Sequence, residues 1–586
     1  MLRTFNTHDV RPARELSGRL WRFTPLDDAD GVRASESSMR PVPSCWQTYP
    51  GFEQYAGRAR YETTFETTDE GNVRLEFKGV SHFASVRVDG ETVAEHYGSY
   101  TPFDAVVRGL KPGEHTLSVD VDGSFSDQYA LDVPNDYMSY GGISRGVALE
   151  QVGDLFVERV HVTPVRPLVV DGGADGETGG WVARVRVRVR NLADEPRPVT
   201  VGVRLLDVPE GEAAQTFAAV AQPGSTVCVD EELTFPHALT WRPEEPNLHR
   251  VAVTLFDGDA QSGAVAREPI DDLIDRVGFR TVEVRGNRIL VNGRAPRIKG
   301  FCRHEDHPDY GCAIPFGIMN RDLMLIRDMG GNAVRTSHYP NDELFLDLAD
   351  ELGILIWEEG HARGLSEEQM RHPRFEEQSE QTIAEMIDAH ANHPSIFIWG
   401  ILNECASETE YGRTCYEAQY ALIRSLDASR PVSSATCKFH RDICLDLPDV
   451  VSWNMYPYWY ERRTATDMVS ETHAWSAEHG GEGKPFLVTE TGAGAIYGFR
   501  DPGRDIWSEE YQAYALREQL SQILAFEPCQ GVFIWQFCDC KVSRDWFKMR
   551  PRSRNNKGIV DEYRRPKLAY DAVKAVFGSY DGYLDA

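Results

Sequence analysis

From residue 1 to about 165, apolar and polar residues alternate with period two in short runs such as VRLEFKGV, SVRVDGETV and HTLSVDVDG, separated by turn residues. That alternation buries one face of a strand and wets the other, and predicts an antiparallel β-sandwich. A Pro- and Gly-rich seam around 164–180 follows. The pattern then returns over 166–274 in WVARVRVRVRN, VTVGVRLLDV and HRVAVTLFDG, predicting a second, smaller sandwich. Beyond Arg276 the period changes, and short apolar runs alternate with amphipathic stretches of ten or more residues. The apolar runs are RIKGFCR, NAVRTSHY, GILIWEE, SIFIWGILNE, PVSSAT, VVSWNMY, PFLVTETG and GVFIWQFCDC. Between them lie helical segments such as DELFLDLADELG, SEQTIAEMIDAHA and SEEYQAYALREQLSQIL. Eight strands and eight helices over 275–586 predict a closed (β/α)8 TIM barrel.

Composition narrows the function. A net charge of -29 over 586 residues disfavours nucleic acid, whose phosphates need clustered Lys and Arg. An anionic substrate would need a local cation supplied by its own site. There is no run of roughly 18 apolar residues, so no membrane partner is expected. The opening MLRTFNTHDVRPAREL carries charges where a signal peptide is apolar, which predicts a cytoplasmic protein. The 11 cysteines are odd in number and include strand positions such as Cys538 and Cys540, so they read as free thiols.

In a parallel barrel the chemistry sits at the C-terminal ends of the strands. The fourth apolar run ends in Asn403-Glu404 and the seventh in Thr489-Glu490. One strand-end glutamate is usually solvated or salt-bridged, but two converging from opposite sides fit glycoside hydrolysis. That reaction needs one carboxyl to protonate the leaving oxygen and a second to attack, about 5–5.5 Å away for retention. Glu358, Glu359 and Asp539 are further acids near strand ends, and supporting roles suit them.

The segments FCRHEDHPDYG, VRTSHYPNDELFLDLADELGILIWEE, NHPSIFIWGILNE, PFLVTETGAG and GVFIWQFCD together resemble glycoside hydrolase family 2, the family of β-glucuronidases and β-galactosidases. The resemblance implies a jelly-roll-like sugar-binding sandwich, an immunoglobulin-like sandwich and the barrel. It also implies a retaining mechanism with Glu404 as acid/base, Glu490 as nucleophile and Asn403 at the sugar 2-hydroxyl. His304, His338, Asn454, Tyr456 and Trp535 would line the sugar pocket, and NDYMSYGGISRGV in the first sandwich would bring Asp136 to the sugar. A homo-oligomer is implied as well, and with no acidic metal cluster evident in the sequence no metal or cofactor is expected.

SRNNKGIVDEYRRPK follows the last strand. Its Asn555-x-Lys557 resembles the motif by which β-glucuronidases of the family grip a C6 carboxylate, and Lys557 would be the required local cation. Arg550 or Arg552 would assist. The expected substrate is therefore a small-molecule or oligosaccharide β-glucuronide. The short GHARGLSEEQMRHPRFEEQ segment predicts an open aglycone side. Three alternatives stand: a β-galacturonidase sharing the Lys557 contact, a β-galactosidase, and a non-catalytic carbohydrate-binding protein.

Overall fold

The computed structural model of the chain describes residues 4–169, 178–208, 213–258, 268–580 and 582–585. In the first sandwich a six-stranded sheet runs in the order Ser38–Val42, Arg19–Pro25, Arg58–Thr67, Gly113–Asp122, Phe83–Val88, Glu91–Tyr97. A four-stranded sheet of Ala13–Glu15, Val147–Val152, Gly71–Phe77 and Phe103–Leu110 packs against it. Trp21, Tyr61, Leu75, Phe77 and Val119, from both sheets, share one core. The second sandwich is immunoglobulin-like. It pairs Leu155–Val169, Thr178–Asn191 and Thr226–Phe235 in one sheet and Gln215–Ala221, Arg197–Leu205, His249–Asp257 and Asp271–Val277 in the other.

Both expected domain seams fall inside strands. Leu155–Val169 hydrogen-bonds to Thr178–Asn191 and so belongs wholly to the second sandwich, and Asp271–Val277 carries the other seam. A strand is held as a unit by its ladder, and composition changes do not mark its ends. Residues 170–177 of the Pro- and Gly-rich seam lie outside the described residues. Arg188, on the polar face of Thr178–Asn191, holds the carboxylate of Asp388 on a barrel helix with two bonds of 2.8 Å.

The barrel closes through Ile298–Cys302, Ala333–Thr336, Leu355–Glu359, Ile396–Gly400, Val432–Thr436, Val450–Asn454, Phe486–Thr491 and Cys529–Ile534, strands one to eight. They are buried almost throughout, as parallel strands covered on both faces must be. Closure brings strand one against strand eight so tightly that a Cβ on Gly300 would lie 2.3 Å from the Phe533 ring. Helix Glu343–Leu352 starts at Asp342, whose side chain accepts from the Leu344 amide, and stops at Gly353 with φ 68°.

One helix per strand fails between strands five and six, where residues 437–449 carry none. Asp442 there accepts from the Cys444 amide and the Ser407 hydroxyl, a local turn that competes with helix. All eleven cysteines are free thiols, with Cys538 and Cys540 buried. Among the described residues, no helix is long and apolar enough to cross a membrane.

Candidate active site

Strand seven carries Glu490 directly to the barrel mouth. Strand four stops at Gly400, before the expected Glu404, because the chain then turns inward through Leu402 and Glu404 at φ 46° and 54°. Left-handed backbone at non-glycine residues costs about 1–3 kcal/mol each. The Glu404 amide, donating to Ala435 O at 2.9 Å on strand five, helps hold it.

The two carboxylates are joined by a hydrogen-bonded chain. Arg335 on strand two is fully buried, and its guanidinium donates to Glu490 Oε1 at 2.9 Å, Thr489 O at 3.2 Å, Asn403 Oδ1 at 2.7 Å and Glu359 at 2.9 and 3.1 Å. Asn454 Nδ2 donates to Asn403 Oδ1 at 3.1 Å and to Glu404 Oε1 at 3.0 Å, while Asn454 Oδ1 accepts from Thr489. Asn454 is thereby spent on the carboxylate network and leaves little for a sugar. Tyr456 donates its hydroxyl to Glu490 Oε2 at 2.6 Å.

Burial, and then the charge of Glu404, push the Glu490 carboxyl up to about 7 against the pull of Arg335 and the Tyr456 hydrogen bond. Arg335, in contact with Glu490, favours its anion and limits that rise. Arg363, after strand three, lies 3.9 Å from Glu404 Oε2 and is bonded to Asn135 of the first sandwich at 2.8 Å.

Three buried polar atoms near these carboxylates have no hydrogen-bond partner in the structure: Asn403 Nδ2, His304 Nε2 and His338 Nε2. Orphaned buried groups are costly, and here a ligand would satisfy them. Burial holds both imidazoles well below the usual histidine value, so they are neutral. His338 Nδ1–H can donate to Glu359 Oε1 at 2.7 Å, which leaves Nε2 as an acceptor. Trp535 stacks on His338 at 4.9 Å, and Tyr137 of the first sandwich stacks on His304 at 4.8 Å.

The loop after strand eight lies at the same mouth. Lys557 Nζ donates to the Tyr460 hydroxyl at 2.8 Å, inside an aromatic box of Tyr456, Trp459 and Tyr460 with centroids 5.0–5.8 Å away. Burial raises the Tyr460 phenol, but Lys557 and Arg550 outweigh it and bring it below its ordinary value. Asp136 does reach this loop from the first sandwich. Its carboxylate, however, is taken by Arg550 and by Asn555 Nδ2 at 3.0 Å, so Asp136 and Asn555 hold each other. Of the two arginines left open by the sequence, Arg550 lies beside Tyr460 and Asp136, whereas Arg552 turns away to Glu562 at 2.6 Å.

Arg335, Arg363, Trp459 and Tyr460 escaped the sequence reading. A charge inside the apolar run NAVRTSHY was the available signal for Arg335, and the aromatic cluster NMYPYWY for the other two on that loop. Among the described residues, Asp347, Asp350 and His393 bring donor atoms within 4.8 Å of one another. Arg276 already sits 2.8 Å from Asp347, so a guanidinium takes the place a metal would need. The cluster also lies before strand four, at the barrel end opposite the glutamates.

Comparison with known proteins gives the family. Residues 282–580 match the TIM barrel domain of glycosyl hydrolases family 2, residues 39–152 its sugar binding domain, and residues 169–280 a further family 2 domain. A β-glucuronidase of Paenibacillus borealis is 27% identical, with 98% of each chain covered. The crystal structure of a family 2 β-galacturonidase from Eisenbergiella tayi bound to galacturonate is 52% identical over 100% of both chains, with a TM-score of 0.93. The fold is also that of a Bifidobacterium dentium β-glucuronidase, 24% identical over 98% of both chains, TM-score 0.85. Two sandwiches and a closed barrel, each matched by a domain of one family, place the chain: it belongs to the glycosyl hydrolases of family 2.

Proposed function

We propose that this enzyme is an exo-acting, retaining β-uronidase that prefers β-galacturonides. The observation that carries the uronide reading is Lys557, an ammonium bonded to a phenol at the barrel mouth rather than to a carboxylate. A C6 carboxylate entering there exchanges a neutral acceptor for a charged one, a bond roughly twice as strong. Arg550 borders the same position through Tyr460. The preference for the galacto epimer rests on the Eisenbergiella tayi β-galacturonidase, at 51–52% identity. β-Glucuronide hydrolysis is the second reading, favoured by the Asn555-x-Lys557 motif and by the Paenibacillus borealis relative.

In this mechanism Glu490, ionised by its contact with Arg335, attacks the anomeric carbon while Glu404 gives its proton to the leaving oxygen. Glu404 then takes a proton from water, which releases the sugar with retained configuration. Asn403 Nδ2, His304 and His338 offer their unpartnered atoms to the sugar hydroxyls. Tyr456 keeps one Glu490 oxygen fixed, leaving the carboxylate aligned for attack. The substrate is a small-molecule or oligosaccharide uronide, and a homo-oligomer remains part of the proposal.

A panel of 4-nitrophenyl β-galacturonide, β-glucuronide and β-galactoside tests the substrate class. Both uronides should outpace the galactoside, the galacturonide first, and a galactoside rate equal to theirs would overturn the reading. Lys557→Ala should lower kcat/KM on uronides by about 10- to 100-fold, the worth of a bond to a charged group, with a smaller change on the galactoside. Glu490→Ala should abolish turnover and be rescued by azide to an α-glycosyl azide, whereas a β product would contradict the nucleophile assignment. With a 2,4-dinitrophenyl uronide, whose departure needs no acid, the acid limb of kcat/KM should lie near pH 7 and activity should fall below it as Glu490 protonates. Glu404→Gln removes a neighbouring charge that raises Glu490, so that limb should move to lower pH; an unmoved limb would show that the two groups do not interact.

A further inference from the structure

The Asn-x-Lys segment ends a long irregular excursion after strand eight, in which Arg552 and Ser553 adopt φ of 59° and 56° and Met549 is exposed. On that side the short strand pair of Cys540–Lys541 with Arg554–Asn555 ends two residues before Lys557. On the other side is a buried ion pair that the catalytic scheme does not use. Asp539 and Lys567 both have 0% exposed side chains, and Lys567 Nζ lies 2.7 Å from Asp539 Oδ1. The same ammonium donates to Ala495 O at 2.7 Å and to Asn556 O at 3.2 Å. Asp539 Oδ1 also accepts from the Gly558 amide at 2.9 Å, and Oδ2 from Asn556 Nδ2 at 3.3 Å.

These bonds fall on Asn556 and Gly558, the two residues that flank Lys557. They also reach the segment that follows Glu490: the Ala495 amide donates to Asn556 O at 2.9 Å, and Gln512 Nε2 bridges Ala493 O and Gly558 O at 2.9 and 3.0 Å. The approach is close enough that a Cβ on Gly558 would lie 2.2 Å from the Asp539 nitrogen. A buried pair of this kind adds little stability over an apolar pair of equal volume, because desolvation offsets its attraction. Its distinctive effect is directional: it sets the backbone on both sides of Lys557 against the chain that leaves Glu490.

We propose that Asp539 and Lys567 are positioning residues for substrate selection, holding Lys557 at the height above Glu490 that a sugar C6 carboxylate requires. This rests on the uronidase reading, and it assigns the pair to recognition of the carboxylate rather than to bond cleavage. Sites that place a charged group on a ligand need it held within about 0.5 Å by the residues behind it.

The test is steady-state kinetics of the full chain on 4-nitrophenyl β-galacturonide and β-galactoside, comparing the wild type with Asp539→Asn/Lys567→Met, which removes both charges together, and with Asn556→Ala, which removes one link from Asp539. The double variant should raise KM for the uronide by about tenfold or more with kcat changed by less than about threefold, and should leave kcat/KM for the galactoside within about threefold. Asn556→Ala should change the uronide KM in the same direction by a smaller factor, and it decides the matter if the double variant does not fold. Equal losses on both substrates, or an unchanged uronide KM, would overturn the proposal. A wild type without uronide preference would instead refute the underlying reading, before any variant is made.

Discussion

At the centre of the barrel mouth a single guanidinium, with no exposed surface, is shared by three residues of the candidate site. Arg335 touches Glu490, Asn403 and Glu359, and through Glu359 it sets the His338 ring. A buried arginine is tolerable only when its donors are met, and here carboxylates and an amide oxygen meet them. The arrangement works in both directions. The cation opposes the rise that burial imposes on the Glu490 carboxyl, and the carboxylates offset the cost of burying the cation.

Around that hub the rest of the molecule supplies position. The first sandwich reaches over the barrel with Asn135 on Arg363, Asp136 on Arg550 and Asn555, and Tyr137 on His304. None of these contacts brings a new reacting group. They fix arginines and a ring that a barrel alone would leave on mobile loops. In a chain of net charge -29, attraction of an anion cannot come from the overall field. It has to be local, and Lys557 with Arg550 forms such a patch behind the aromatic box.

Much of the architecture was legible because strand and helix periodicity are local properties. The eight apolar runs coincide with the eight barrel strands, since segments covered on both faces must be continuously apolar. The domain seams were less legible: Leu155–Val169 and Asp271–Val277 run through them, and a ladder does not stop where composition shifts. The missing helix at 437–449 turned on Asp442, whose side chain satisfies a backbone amide in place of a helical bond.

For the site, strand-end position drew attention to several acids, and it was the pairing of Glu404 with Glu490 that separated them from Glu358, which also closes an apolar strand but is bonded to His390 on a helix. The sequence by itself thus determined the family and its glycosidase class. Only the tertiary structure decided who holds whom. Arg335 meets Asn403 and Glu490 across 68 and 155 residues, and Arg550 meets Asp136 across 414. Such pairings leave no periodicity and no fixed spacing in the chain. They follow from which strand ends and sandwich loops the closed barrel brings together, and from the need of each buried charge for a partner.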